Sequence, residues 1–436
     1  MVFAGQRRCN GYNWPGRMPA STTGAGAKSK LFAWPSPTGA ERHGIALLEG
    51  FMTARAYFDW NATAPLRDEA RAGLLAALDV TGAASSVHSQ GRAARALVEK
   101  ARGQVAALVG AEAKSVIFTS GATEANMLAL TPDLVVLGKP FTCDRLFVSA
   151  IEHASVLGGG RFPADKVERL PVTAEGIVDL NALRAALKGF ERPLVSVMHA
   201  NNETGVVQPI TDVAAIVHAA GGVLHVDAAQ TAGRIDCDIA ALGADMLTIS
   251  SHKLGGPQGV GALVLNGPQP ATPLIKGGGQ ERGFRAGTEN VAAIAGFGAA
   301  AEAAARSRQA AATRMAALRD MFEARLRAET PDVVIFGAGM PRLPNTSLFT
   351  VPGLKAETAL IAFDLNGIAV SSGSACSSGK VGASHVLAAM GVEPALAAGA
   401  IRVSLGWTTT EAEVESLLNA WKKVVATLLK RHAQAA

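Results

Sequence analysis

Four short stretches carry the side chains best suited to chemistry. In "ISSHKLGGPQGVG" (249–261) a lysine, Lys253, follows an apolar run and precedes glycines. In "HVDAAQ" a second apolar run ends on Asp227. In "TSGATE" (119–124) a glycine turn leads from an apolar run into a helix start. In "SSGSACSSGK" (371–380) one thiol, Cys376, sits among five serines and two glycines. A strand-end amine can form a Schiff base, and a buried carboxylate can hold a protonated ring nitrogen. A glycine turn opening a helix presents free N–H groups and a positive dipole end to a phosphate. A thiol on a small, polar segment is unlike a buried structural cysteine, because there is little apolar surface around it to bury.

Each feature alone has a plainer reading. A lysine on a turn can simply snorkel, a lone histidine is usually a core or surface residue, and a cysteine can fall in a linker by chance. Their combination is what argues. An amine, a carboxylate and a phosphate cradle, all at strand C-termini of an open α/β sheet, form the set that pyridoxal phosphate needs.

The elements that must position these groups are legible as short apolar runs. "SVIFTS" (115–120), "RLFVSA" (145–150), "PLVSVMHA" (193–200), "GVLHVDAA" (222–229) and "ADMLTIS" (244–250) read as buried strands of a largely parallel sheet, with "GALVLN" (261–266) as a further candidate. Helical stretches fall between them at 91–109, 121–130, 179–188 and 210–220. The alternation predicts an α/β domain with helices on both faces. An Ala-rich stretch, 289–329, reads as one long helix connecting two domains. Beyond it lie strand candidates "VVIF" (333–336), "NTSLFTV" (345–351), "IAVSS" (368–372) and "IRVSLG" (401–406). They alternate with helices near 355–365, 384–390 and 410–430, a smaller α+β unit. No internal repeat is visible.

The 436 residues, 49 % hydrophobic, can bury a substantial core without disulfides. The four cysteines, Cys9, Cys143, Cys237 and Cys376, lie far apart with no CxxC, so neither a zinc site nor a disulfide framework is expected and a reducing, cytoplasmic setting is. No apolar run reaches membrane-spanning length. The net charge of +5 belongs mostly to residues 1–51, where six basic residues face two acidic ones and leave about +1 for the remaining 385. That distribution argues against a nucleic-acid partner. The leader itself, rich in Gly, Ser, Pro and Ala, reads as a disordered tail, a transit peptide or a sequence preceding a true start at Met52.

From Tyr57 to Trp421 the chain resembles the cysteine desulfurases of the aminotransferase class V family, fold-type I pyridoxal-phosphate enzymes. The resemblance rests on "YFDWNATAP", "FTSGATEANM", "IEHASV", "HANNETGVVQPI", "HVDAAQTAGR", "SSHKLGGPQGVGAL", "GGGQERGFRAGTEN", "LPNTSL", "SSGSACSS" and "IRVSLGWTTTEAEV". It implies a seven-stranded, mostly parallel large domain over 67–300, with 52–66 joining a small α+β domain over 301–436. It implies that Lys253 bears the cofactor and then acts as base at the substrate Cα. Asp227 would pair with the pyridine nitrogen, His153 would stack on the ring and shuttle protons, and Gln230 and Asn202 would lie near its phenolic oxygen. Ala122, Thr123, Ser250 and His252 would grip the phosphate, and Thr288 would reach the phosphate in the partner subunit of a homodimer. Arg402, together with Asn202, would bind the carboxylate of L-cysteine. Cys376 would take the sulfur as a persulfide, leave alanine, and pass the sulfur to an acceptor or iron–sulfur scaffold protein. "SSGSAC" matches the long-loop branch of the family. The chain departs from the family at "TGAASSVHSQG", where Ala83 and Ala84 replace a Gly-Asn-Pro-type stretch, and in its leader. Two other functions compete: a related lyase acting on selenocysteine, and an inactive assembly scaffold.

Overall fold

The computed structural model describes residues 55–373 and 384–433. The leader and Cys376 lie outside the described residues. The apolar runs form a seven-stranded sheet: β1 (Val116–Thr119), β2 (Arg145–Ser149), β3 (Val167–Leu170), β4 (Pro193–Ser196), β5 (Val223–Asp227), β6 (Met246–Ser250) and β7 (Gly261–Leu265). Their order across the sheet is β1-β7-β6-β5-β4-β2-β3. Strands β1, β4, β5, β6 and β7 are buried at every position, which is why each reads as an unbroken apolar run. All neighbours pair in parallel except β7, which is antiparallel to both β1 and β6. The other six strands therefore point the same way and end at one edge.

Helices α1 (Asp68–Leu78), α2 (Ser89–Leu108), α3 (Ala122–Ala129), α4 (Ala154–Leu157), α5 (Leu180–Ala186) and α6 (Ile210–Ala219) surround the sheet and precede the long helix α7 (Val291–Glu329). Both α1 and α2 pack along α7. The abundance of Ala and Gly follows from how closely they pack. A Cβ added at Gly298 would come within 2.5 Å of the Ala101 Cα on α2.

At 39 residues α7 is about 58 Å long. Its first half, through Phe297 and Ala304, belongs to the core under the large sheet. Its second half, through Met315, Phe322 and Leu326, belongs to a separate cluster with Phe349, Phe363 and Trp421. In that cluster the Trp421 and Phe349 rings meet edge to face with centroids 5.3 Å apart, and the indole N–H donates to Thr330 Oγ1 at 2.9 Å.

The second cluster lies against the sheet of β8 (Val334–Ile335), β9 (Thr346–Thr350), β10 (Ser371–Ser372) and β11 (Ile401–Ser404), ordered β8-β9-β11-β10, with α8 (Ala356–Leu365) and α10 (Glu411–Ala433), while α9 (His385–Ala389) packs in another cluster with Ile151, Met198 and Leu348. The segment entering α1 joins this part: Ala56–Tyr57 pairs in parallel with Ile368–Ala369, and the Ser404 N–H donates to the Phe58 carbonyl at 2.8 Å.

Candidate active site

Because the parallel strands end together, the segments that leave them converge. They line one cavity of about 630 Å³, a size suited to a small ligand. Ala122, Thr123, His153, Asn202, Asp227, Gln230, Ser250, His252, Lys253 and Arg402 all line it. Thr288 does not. It is exposed and borders a smaller neighbouring cavity of about 200 Å³ that shares Ser120, Gly259 and Val260 with the first.

Lys253 ends the single helical turn after β6. Its Nζ donates to the carbonyls of Asn61 at 2.6 Å and Ala62 at 2.7 Å. Those carbonyls belong to the "DWNATAP" segment, so the chain's entry into the fold aims the amine. Arg234 fixes the same turn from behind. Buried, it donates to the carbonyls of Lys253 and Trp60, to Asn61 Oδ1 and to Gln230. Burial, with help from Arg402, pulls its guanidinium down to about 10, still charged at neutral pH.

Asp227 ends β5 and is buried. Its Oδ1 accepts the Ala229 N–H at 2.9 Å and its Oδ2 accepts from Asn126 Nδ2 at 2.9 Å. His153 caps α4. Burial lowers its pKa, opposed by Asp227 and reinforced by Lys253 and His385, so the ring is neutral at physiological pH. Burial also lowers His252, to about 4, with Lys253 and Arg234 adding to it.

The start of α3 has no side-chain cap, so its first N–H groups face the cavity side at Ala122 and Thr123 without a protein side chain filling the position. Gly261 makes that turn possible: a Cβ there would lie 2.7 Å from the Gly121 carbonyl carbon. An amine, a carboxylate and an uncapped helix start around one cavity can hold an aldehyde cofactor bearing a phosphate.

Arg402 on β11 is fully buried, and donates to Asp59 Oδ1 at 2.7 Å and to the Asn202 carbonyl at 3.1 Å. A substrate carboxylate would share or replace the Asp59 contact.

The sequence did not reveal Asn61, Asn126, Ser155, Glu203 or Arg234. Glu203, in "NNETG", is buried beside the site and accepts from Ser384 Oγ at 2.6 Å. Burial raises its pKa from 4.5 to about 7, against the lowering effects of Ser384 and Arg402. The folded chain therefore holds this proton more tightly than the unfolded chain. The stabilisation is full below about pH 4.5 and is lost as pH rises through about 7. Glu203→Gln is expected to flatten the melting temperature between those limits and to raise stability above neutrality by up to about 3 kcal/mol. Melting curves from pH 5 to 8.5 check this, and an unchanged pH slope in the variant would contradict it.

The class-V aminotransferase family model matches residues 56–417. A cysteine desulfurase of Cereibacter sphaeroides is 42 % identical over 377 residues, covering 85 % of this chain and 96 % of that protein. Among solved structures, a NifS-like protein from Rickettsia africae superposes with a TM-score of 0.78 at 36 % identity, covering 86 % of this chain and all of the other. A structure described as SspA in complex with cysteine superposes with a TM-score of 0.67 at 28 % identity, covering 81 % of this chain and all of that one.

Proposed function

The chain belongs to the class-V aminotransferase family, and from that premise we propose that it is a cysteine desulfurase. It converts L-cysteine to L-alanine and moves the sulfur onto Cys376, whose thiol becomes a persulfide. Cysteine and thiol give alanine and persulfide, so atoms and electrons balance without an outside oxidant. The observation that carries this reading is the convergence of Lys253, Asp227 and the uncapped start of α3 on one cavity. Its support is the 42 % identity to a cysteine desulfurase over 85 % of the chain.

The residues fit pyridoxal phosphate, which when bound supplies an electron sink that stabilises negative charge at the substrate Cα. Lys253 Nζ would hold the cofactor, and its amine is placed to take a proton from the substrate Cα and to return one there. Asp227, at the end of β5, is placed to hold a proton on the ring nitrogen. His153, neutral and at the cavity wall, is placed for proton transfer. The N–H groups of Ala122 and Thr123, with Ser250 and His252, bind the phosphate. Gln230 and Asn202 orient the ring, and Arg402 binds the substrate carboxylate through its planar fork.

The same reading makes 67–300 the cofactor domain, and 52–66 with 301–436 the domain that carries Cys376. It also makes the active form a homodimer in which Thr288 completes the other subunit's phosphate site. The sulfur leaves Cys376 for an acceptor protein. None of the described helices is long and apolar enough to cross a membrane.

The test is to incubate the purified protein with L-cysteine and a thiol reductant and to count products. Alanine and sulfide in equal amounts are expected. Neither product above a protein-free control would refute the assignment, and turnover of selenocysteine alone would replace it with a selenocysteine lyase.

A further inference from the structure

We propose that Asn126 is a positioning residue that sets the proton on His153 through Ser155, joining the site's carboxylate and its imidazole in one directed hydrogen-bond chain. Asn126 lies on α3, fully buried. Its Nδ2 donates to Asp227 Oδ2 at 2.9 Å and to Ser155 Oγ at 2.9 Å, which uses both amide hydrogens. The amide cannot be reversed, because its oxygen would then face the Asp227 carboxylate. Its Oδ1 is buried with no hydrogen-bond partner among the described residues. An unpaired buried oxygen costs stability, so the arrangement is maintained for its donors.

The direction propagates. Ser155 Oγ accepts from Asn126, so its own hydrogen is available to His153 Nδ1, 2.8 Å away. The Ser155 backbone N–H also points at Nδ1, at 3.2 Å. Two donors on Nδ1 make it an acceptor, so the neutral ring carries its hydrogen on Nε2. Protonating Nδ1 would set hydrogen against hydrogen. The charged groups facing this ring are Asp227, Lys253 and His385, and of them only Asp227 favours the imidazolium.

The catalytic meaning of this chain rests on the desulfurase reading, but the tautomer does not. The experiment is therefore a histidine 15N and 13C NMR titration of the cofactor-free protein, with the His153 signal assigned by His153→Gln. Wild type is expected to show the Nε2–H form. In Asn126→Asp, nearly the same shape, one proton is shared with Asp227 and the remaining oxygen accepts from Ser155 Oγ. That turns the hydroxyl round. His153 is then expected to shift toward Nδ1–H, and its titration midpoint to move upward. Ser155→Ala, at a partly exposed position, removes the link from the other end. It is expected to raise the midpoint by less, since the backbone donor remains. An Nδ1–H ring in wild type would overturn the proposal. So would an unchanged ring in a folded Asn126→Asp, or, if that variant does not fold, an unchanged midpoint in Ser155→Ala. Wild type that binds no pyridoxal phosphate on reconstitution would sink the functional reading instead, and would leave the tautomer result standing.

Discussion

Lys253→Ala is expected to lower alanine formation from cysteine by at least about 10⁴-fold, because under the proposed function one side chain would supply both the covalent hold on the cofactor and the base at Cα. The effect on the fold is separable. Lys253 Nζ donates to the Asn61 and Ala62 carbonyls at 2.6 and 2.7 Å. Truncation removes those bonds and costs roughly 1–3 kcal/mol, a fall of a few degrees in melting temperature. Lys253→Arg keeps a donor for the same carbonyls but has no amine that can form a Schiff base. Its melting temperature should stay near that of wild type while its activity falls as far as that of the alanine variant. The Asp227 carboxylate and the α3 start remain in both variants, so both should still retain pyridoxal phosphate, released by dialysis without an amine nucleophile. Alanine formation within tenfold of wild type in Lys253→Arg would remove Lys253 from the chemistry.

The sequence carried most of the scaffold because the strands of the large sheet are buried on both faces. Burial on both faces forces continuous apolar runs, and β1, β4, β5, β6 and β7 each fall inside one. The strand that escaped notice is β3, at the sheet edge, where Glu168 and Arg169 are exposed and break the run. The small sheet of Asp133–Val136, Lys139–Thr142 and Gln269–Pro270 escaped for the same reason: Lys139 and Pro140 look like turn residues. "IAVSS" (368–372), expected as one strand, divides at Val370 into pieces that pair with different partners, Ala56–Tyr57 and β11. Helix α1 gave no clear period because its buried face is only Ala70 and Ala77.

The site divides along similar lines. Lys253 and Asp227 were legible because strand ends followed by turns are where an α/β sheet presents its chemistry. The network around them was not. Asn126 is one of three polar residues in an eight-residue helix and nothing local sets it apart, and Arg234 reaches Asn61 only because the fold brings together positions 173 residues apart. No local pattern encodes such contacts. They become visible only as buried polar groups that must be satisfied.

Cys376→Ser is expected to abolish both products, by about 10² to 10⁴-fold, while leaving bound cofactor and melting temperature unchanged. Cys376 lies outside the described residues. Ser371, five residues before Cys376 in the chain, lines the cavity. The two cysteines of the folded body cannot replace it. Cys143 is 1 % exposed and Cys237 is fully buried, and neither lines the cavity. Burial pushes each thiol up to about 12, which leaves almost no thiolate at neutral pH. Cys237 sits 3.7 Å from His199 Nδ1, yet burial holds that imidazole at about 4, so the pair does not ionise. A serine hydroxyl is close in size to the thiol but does not accept sulfur as a persulfide. After one equivalent of cysteine, the wild-type peptide containing Cys376 should gain the mass of one sulfur atom, lost again on reduction, and no peptide containing Cys143 or Cys237 should gain it. If alanine and sulfide continue in Cys376→Ser, the sulfur leaves by a route that does not pass through this thiol, and the serine- and glycine-rich stretch around it has some other use.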